Sequence, residues 1–139
     1  MWKLWAEIKT FIISCLPDEI IYVKVAHEGG MEIKVDYEFS GAVTGINPDI
    51  KVSKGDVLIF ELDAEGHPFW IKTAMGIGKG NAVTSGISGE GHGKTSGILI
   101  WNTTTFEDGI YYYQCEYHAN MFGKIIVGEG ILHHCKRSL

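Results

Sequence analysis

The sequence predicts an all-β fold: an antiparallel sandwich or barrel of short strands. Apolar and polar residues alternate with a period of two over several short runs, as in half-buried strands. Turn signals rich in Gly, Asn, Asp and Ser separate these runs, and no stretch of helical period lies between them. Eighteen glycines against three prolines fit a domain with many turns. The length of 139 residues suits one domain with short tails, and 45% hydrophobic against 21% charged residues is enough to bury a core. The expected division is 1–19 as an N-terminal segment, 20–128 as the domain and 129–139 as a tail.

Residues 1–16 carry Trp2, Leu4, Trp5, Ile8, Phe11, Ile12 and Ile13. Lys3 gives the basic start of a secretory signal, but Glu7 and Lys9 interrupt the apolar run. A short amphipathic helix, packed on the domain or lying on a membrane face, is the reading favoured over a signal or anchor. Ile12-Ile13-Ser14-Cys15 loosely resembles a lipoprotein cleavage box, so lipid attachment at Cys15 stays open. Pro17-Asp18-Glu19 reads as the end of this segment.

From Ile20 to Ala26 the pattern is β-rich, with Ile21, Val23 and Val25 on one face, and this strand is expected at a sheet edge. Ile33, Val35, Tyr37 and Phe39 alternate with Lys34, Asp36 and Glu38. Asn47-Pro48-Asp49 and Ser53-Lys54-Gly55-Asp56 are turns around Ile50 and Val52. Val57 to Leu62, Phe69 to Thr73, Ile98 to Trp101, Ile110 to Cys115 and Gly123 to Val127 complete the strands. Residues 76–97 hold eight of the glycines and predict long, mobile loops with room for a short edge strand.

A net charge of −5 argues against a nucleic-acid binder. No apolar run reaches the length of a membrane span. Three cysteines are too few for a disulfide scaffold, and the odd count leaves at least one thiol for another task.

One segment concentrates the chemistry. Tyr111-Tyr112-Tyr113-Gln114-Cys115-Glu116-Tyr117-His118-Ala119-Asn120-Met121-Phe122-Gly123 contains Cys-x-x-His-x-x-Met between two predicted strands. His67, in Gly66-His67-Pro68-Phe69-Trp70, is a second imidazole far upstream. One thiolate, two imidazoles and a weak axial thioether form the donor set of blue-copper electron-transfer sites. The thiolate favours Cu(I), and imidazole suits both oxidation states. The weak thioether lets the metal change charge with little change in geometry. Structural zinc is a weaker fit, because its usual ligands come as close Cys or His pairs.

On these residues the chain resembles the cupredoxin, or type 1 blue copper, family over roughly residues 33–127. Asn47-Pro48-Asp49-Ile50, the Ser53–Asp56 turn, Gly66-His67 and the run from Tyr113-Gln114-Cys115 to Met121-Phe122-Gly123 carry the likeness. The short ligand loop looks most like that of the amicyanins, the plastocyanins having a longer gap between His and Met. The resemblance implies an eight-stranded Greek-key β-sandwich with one copper. It implies His67, Cys115 and His118 as strong ligands and Met121 as the long axial one. It further implies a monomeric, non-enzymatic one-electron carrier with redox proteins as partners, no nucleic acid, and a place outside the cytoplasm. Membrane attachment, if any, would run through residues 1–16. The competing functions are a copper storage or delivery module, a small red-copper enzyme, and an interaction domain that has lost its metal.

Three departures from the family pattern carry expectations. Pro68 stands where an Asn often follows the first His ligand, and proline has no N–H to offer the thiolate. Glu116 places a carboxylate beside the ligand loop, and both features favour Cu(II) and a lower reduction potential. The glycine-rich stretch 76–97 reads as a docking loop. Phe69, Trp70, Tyr117 and Phe122 read as core or as an apolar shell over the metal, and Tyr111 and Tyr113 share the face of Cys115. His92 reads as a mobile surface residue and His133-His134-Cys135 as part of a frayed terminus. Cys15 and Cys135 are open to pairing, lipidation or remaining free. Asn102-Thr103-Thr104 is a glycosylation sequon, meaningful only in a eukaryotic secretory route.

Overall fold

The computed structural model describes residues 20–28 and 34–128. The N-terminal helix or signal, Ile33, the tail and the fates of Cys15 and Cys135 lie outside them. Among the described residues there are ten strands and no helix, where the resemblance implied eight strands. They are β1 (Ile20–Glu28), β2 (Lys34–Gly41), β3 (Gly45–Ile46), β4 (Ile50–Ser53), β5 (Val57–Asp63), β6 (Phe69–Lys72), β7 (Ile87–Gly89), β8 (Ser96–Asn102), β9 (Gly109–Cys115) and β10 (Phe122–Gly128). The two additions are the two-residue β3 and the three-residue β7, the edge strand for which the glycine-rich stretch left room. No helix among the described residues is long and apolar enough to cross a membrane.

The strands form a six-stranded sheet, ordered β3-β2-β1-β5-β8-β7, and a four-stranded sheet, ordered β4-β10-β9-β6. Two expectations fail here. The strand at 20–26 is not an edge: β1 lies between β2 and β5. Nor is the pairing wholly antiparallel, because β1 runs parallel to β5 and β10 parallel to β4. Both edges of β1 find ladder partners, antiparallel with β2 and parallel with β5, while Ile21 and Val23, 2% and 0% exposed, face the core.

The inner faces meet in one core that includes Tyr37, Phe39, Phe60, Phe69, Leu99, Trp101, Tyr113 and Ile125. The Tyr113 and Phe69 rings stack at 5.7 Å, and the Tyr113 hydroxyl donates to the Pro48 carbonyl at 2.6 Å. Tyr113 lies over its cross-strand partner Gly123 so closely that a Cβ there would strike the hydroxyl. The expected turns are present. Asn47 enters the left-handed region at φ 43° and donates from Nδ2 to buried Asp36 at 2.7 Å. Asp56 accepts from Ser53 N–H at 3.0 Å, closing the second turn.

Candidate metal centre

Strand pairing brings the two distant ligand segments to one end of the sandwich. Phe69 of β6 pairs with Cys115 of β9, so His67 sits just before the strand that flanks the cysteine. A turn held by His67 N–H to the Ala64 carbonyl, 2.9 Å, presents the imidazole. Gly66 in that turn has φ +83°, which a side chain would strain. The Tyr37 hydroxyl crosses the core and donates to the His67 carbonyl at 2.8 Å, fixing this backbone from below. Beyond Cys115 the chain curls back: Cys115 N–H donates to the Met121 carbonyl at 2.9 Å and Met121 N–H to His118 at 3.2 Å.

The result is a compact donor cluster. The ligand atoms of His67, Cys115 and His118 lie within 4.8 Å of one another. Nδ1 of His67 is 3.7 Å and Nδ1 of His118 3.5 Å from the Cys115 sulfur. Three donors arranged trigonally around a metal at roughly 2.0–2.3 Å stand about 3.5–3.7 Å apart, so these spacings fit a shared ion. Cys115 is fully buried, His67 nearly so, and His118 is exposed. Met121 is fully buried at the end of the same loop, adjoining the cluster through its backbone bonds. Burial pushes the His67 pKa down, with His118 and His27 adding to the shift, so the ring stays neutral and its nitrogen stays available as a donor. Burial, reinforced by the Cys115 thiol, pushes the Tyr37 hydroxyl far above its ordinary value, and it remains a neutral donor.

The surroundings depart from the sequence reading in several ways. The Glu116 carboxylate accepts from the Trp70 indole N–H at 2.9 Å, a partner the sequence does not reveal. His92 is not a loose surface residue. It stacks on Trp70 at 5.1 Å and 12°, accepts from Ile71 N–H at Nδ1, 3.3 Å, and donates from Nε2 to Val83, 3.0 Å. Gly93 permits this stack, because a Cβ there would come within 2.9 Å of the indole. Phe69 is core and Tyr117, 61% exposed, is surface. Asn102 is exposed, with its side-chain oxygen held by Thr104.

Four contributors escaped the sequence reading. His27 stands edge-on to His67 at 6.5 Å, and the period of β1 already placed it on the face of Val23 and Val25. Tyr37 was visible only as a core residue. Lys72 and Gln114 are 1% and 0% exposed, although alternation puts both on the outward face of their sheet. Burial pushes the Lys72 ammonium below its ordinary pKa, and the Glu116 carboxylate partly offsets that shift. No signal in the strand pattern reveals that a loop covers these two residues.

No protein-family model matches the chain, and no curated protein matches it. Among solved structures it is similar to reduced rusticyanin, at 20% identity and TM-score 0.47, over 88% of this chain and 95% of that one. It is similar to rusticyanin from Thiobacillus ferrooxidans at 21% identity and TM-score 0.47, over 88% and 92%. It is also similar to a reduced variant of amicyanin at 26% identity and TM-score 0.42, over 79% and 83%. The two-sheet, all-β architecture and the His67–Cys115–His118 cluster are those that the resemblance to the cupredoxin family implies.

Proposed function

We propose that this protein is a one-electron carrier that holds a single type 1 copper through His67, Cys115 and His118, with Met121 as the axial thioether. The observation that carries this reading is the approach of two imidazole Nδ1 atoms to one buried sulfur, at 3.7 and 3.5 Å. Copper bound there would supply a one-electron couple. The chain supplies the rest. Tyr37 and the backbone bonds of the ligand loop hold the donors in place. A donor set fixed in this way changes little between oxidation states. The buried Phe69, Pro68 and Met121 exclude water from the inner side. His118, on the exposed side with Tyr117 beside it, is the port through which an electron reaches a redox partner.

The test is addition of Cu(II) to the metal-free protein, followed by visible absorption and electron paramagnetic resonance, beside Cys115→Ser. An intense thiolate charge-transfer band with narrow hyperfine splitting, lost in the variant, is the expected result. A pale, ordinary copper signal that is unchanged in the variant would overturn the reading. Rapid self-exchange with retained metal separates a carrier from a delivery module. An unchanged spectrum with azide separates it from an enzyme with an open copper position.

A further inference from the structure

The outward face of β6 and β9 should be solvated, yet it buries a lysine and a glutamine. Trp70 and Lys72 of β6 lie on this face, opposite Gln114 and Tyr112 of β9. The segment 75–78, which follows β6, folds over them. Lys72 Nζ donates to the carbonyls of Gly76 and Gly78, both at 2.7 Å. The carboxamide oxygen of Gln114 accepts from Gly76 N–H at 3.1 Å. Its nitrogen lies 2.8 Å from the carbonyl of His118, 3.0 Å from that of Cys115 and 3.5 Å from that of Met121. Gly78 N–H donates to the Glu116 carbonyl at 2.8 Å.

The geometry points to Lys72 and Gln114 as a buried clasp that joins segment 75–78 to the ligand loop and positions the carbonyls of Cys115, His118 and Met121. A buried ammonium is costly unless its protons are matched, and two carbonyls of one short segment take two of the three. Those carbonyls are therefore held where the ammonium needs them, and the segment gives up two charge-assisted hydrogen bonds, besides those to Gln114 and Glu116, if it leaves. Gln114 transmits this restraint, because one carboxamide touches the segment on one side and three ligand-loop residues on the other. The clasp also explains why Met75 and Ile77, 55% and 60% exposed, stand out beside the loop instead of collapsing onto the core. Lys72 and Gln114 are positioning residues. The consequence for metal retention rests on the copper reading, but the consequence for the loop does not.

The experiment is amide hydrogen exchange, followed by nuclear magnetic resonance, on the metal-free protein and on Lys72→Met, which keeps most of the side-chain stem. The amides of Gly76 and Gly78 should exchange at least about tenfold faster in the variant, measured relative to core amides such as Phe60. The amides of Cys115 and Met121, which Lys72 does not touch, should accelerate with them. Acceleration confined to Gly76 and Gly78 would overturn the proposal and leave Lys72 as a staple of its own segment. If the variant does not fold, the wild-type protein decides. Equal opening free energies at Gly78 and Met121 across a denaturant series support the clasp, and earlier, independent opening at Gly78 overturns it. In a second arm, Cu(II) is loaded and withdrawn by a chelator. Release from Lys72→Met should be at least about tenfold faster with the charge-transfer band retained, and unchanged release overturns the retention role. A wild-type protein that takes up no copper overturns the copper reading alone, because the exchange arm still decides the clasp.

Discussion

At the scale of single residues, Pro68 is the most informative departure from the family pattern. The polar neighbours of the Cys115 sulfur include the two imidazole nitrogens, which a bound metal would engage, and the Tyr37 hydroxyl. Proline cannot add a backbone N–H to the sulfur. Its carbonyl is already used, accepting from Glu116 N–H at 3.0 Å, so the segment is tied to the ligand loop without donating to it. A thiolate with one fewer donor is more electron-rich and favours Cu(II). Pro68→Asn should therefore raise the reduction potential, on the order of 50 mV for one hydrogen bond worth about 1 kcal/mol. Voltammetry of the copper-loaded variant checks this, and a potential that stays put or falls contradicts it. The expected contribution of Glu116 is smaller than its charge suggests, because the Trp70 indole already donates to it.

At the scale of elements, the glycine-rich stretch is held at both ends rather than left loose. His92 ties Val83 to β6 and lies flat on Trp70, with Lys72 the charged group that acts on it. Burial pushes the His92 pKa down; the hydrogen bond to Val83 opposes that shift and Lys72 adds to it. Below the ordinary imidazole value the unfolded chain takes up a proton that the folded chain resists, so this residue makes stability fall as pH drops below about 6.5. Above that value its contribution is flat. Denaturant unfolding at several pH values between 5 and 8 should show a shallower acid loss in His92→Gln than in the wild-type protein. Equal slopes would mean that His92 titrates as it does when unfolded. The strands were legible because each buries one face, and alternation reports that directly. The loop was not legible, because glycines carry no period and, His92 apart, many of its contacts are made by backbone groups. Lys72 and Gln114 went unnoticed for the same reason: alternation gives a face, not what covers it. The candidate donor set was legible as a pattern because Cys115, His118 and Met121 are close in sequence. His67 needed the Phe69–Cys115 register to bring it near.

At the scale of the whole molecule, the donors sit on a framework held by the chain's own hydrogen bonds and core. His67 is braced by Tyr37 from the six-stranded sheet, and Cys115 ends a strand of the four-stranded sheet, so the site bridges both layers. Metal binding to such a site adds stability by mass action instead of creating the fold, unlike a small domain that folds only around its ion. Free copper at 100 times its dissociation constant stabilises the folded state by about 2.7 kcal/mol. For a chain of this length that corresponds to a rise in melting temperature of roughly 8 °C, at about 3 °C per kcal/mol. The rise should grow with the logarithm of copper concentration, and the far-ultraviolet circular dichroism of the metal-free protein should already be that of the folded sandwich. Cys115→Ser should remain folded, because its backbone bond to Met121 is unaffected, but its melting temperature should lose the copper dependence. A metal-free protein without β-structure would mean that copper organises the sandwich. A copper-dependent rise that survives in Cys115→Ser would mean that the stabilising ion binds elsewhere.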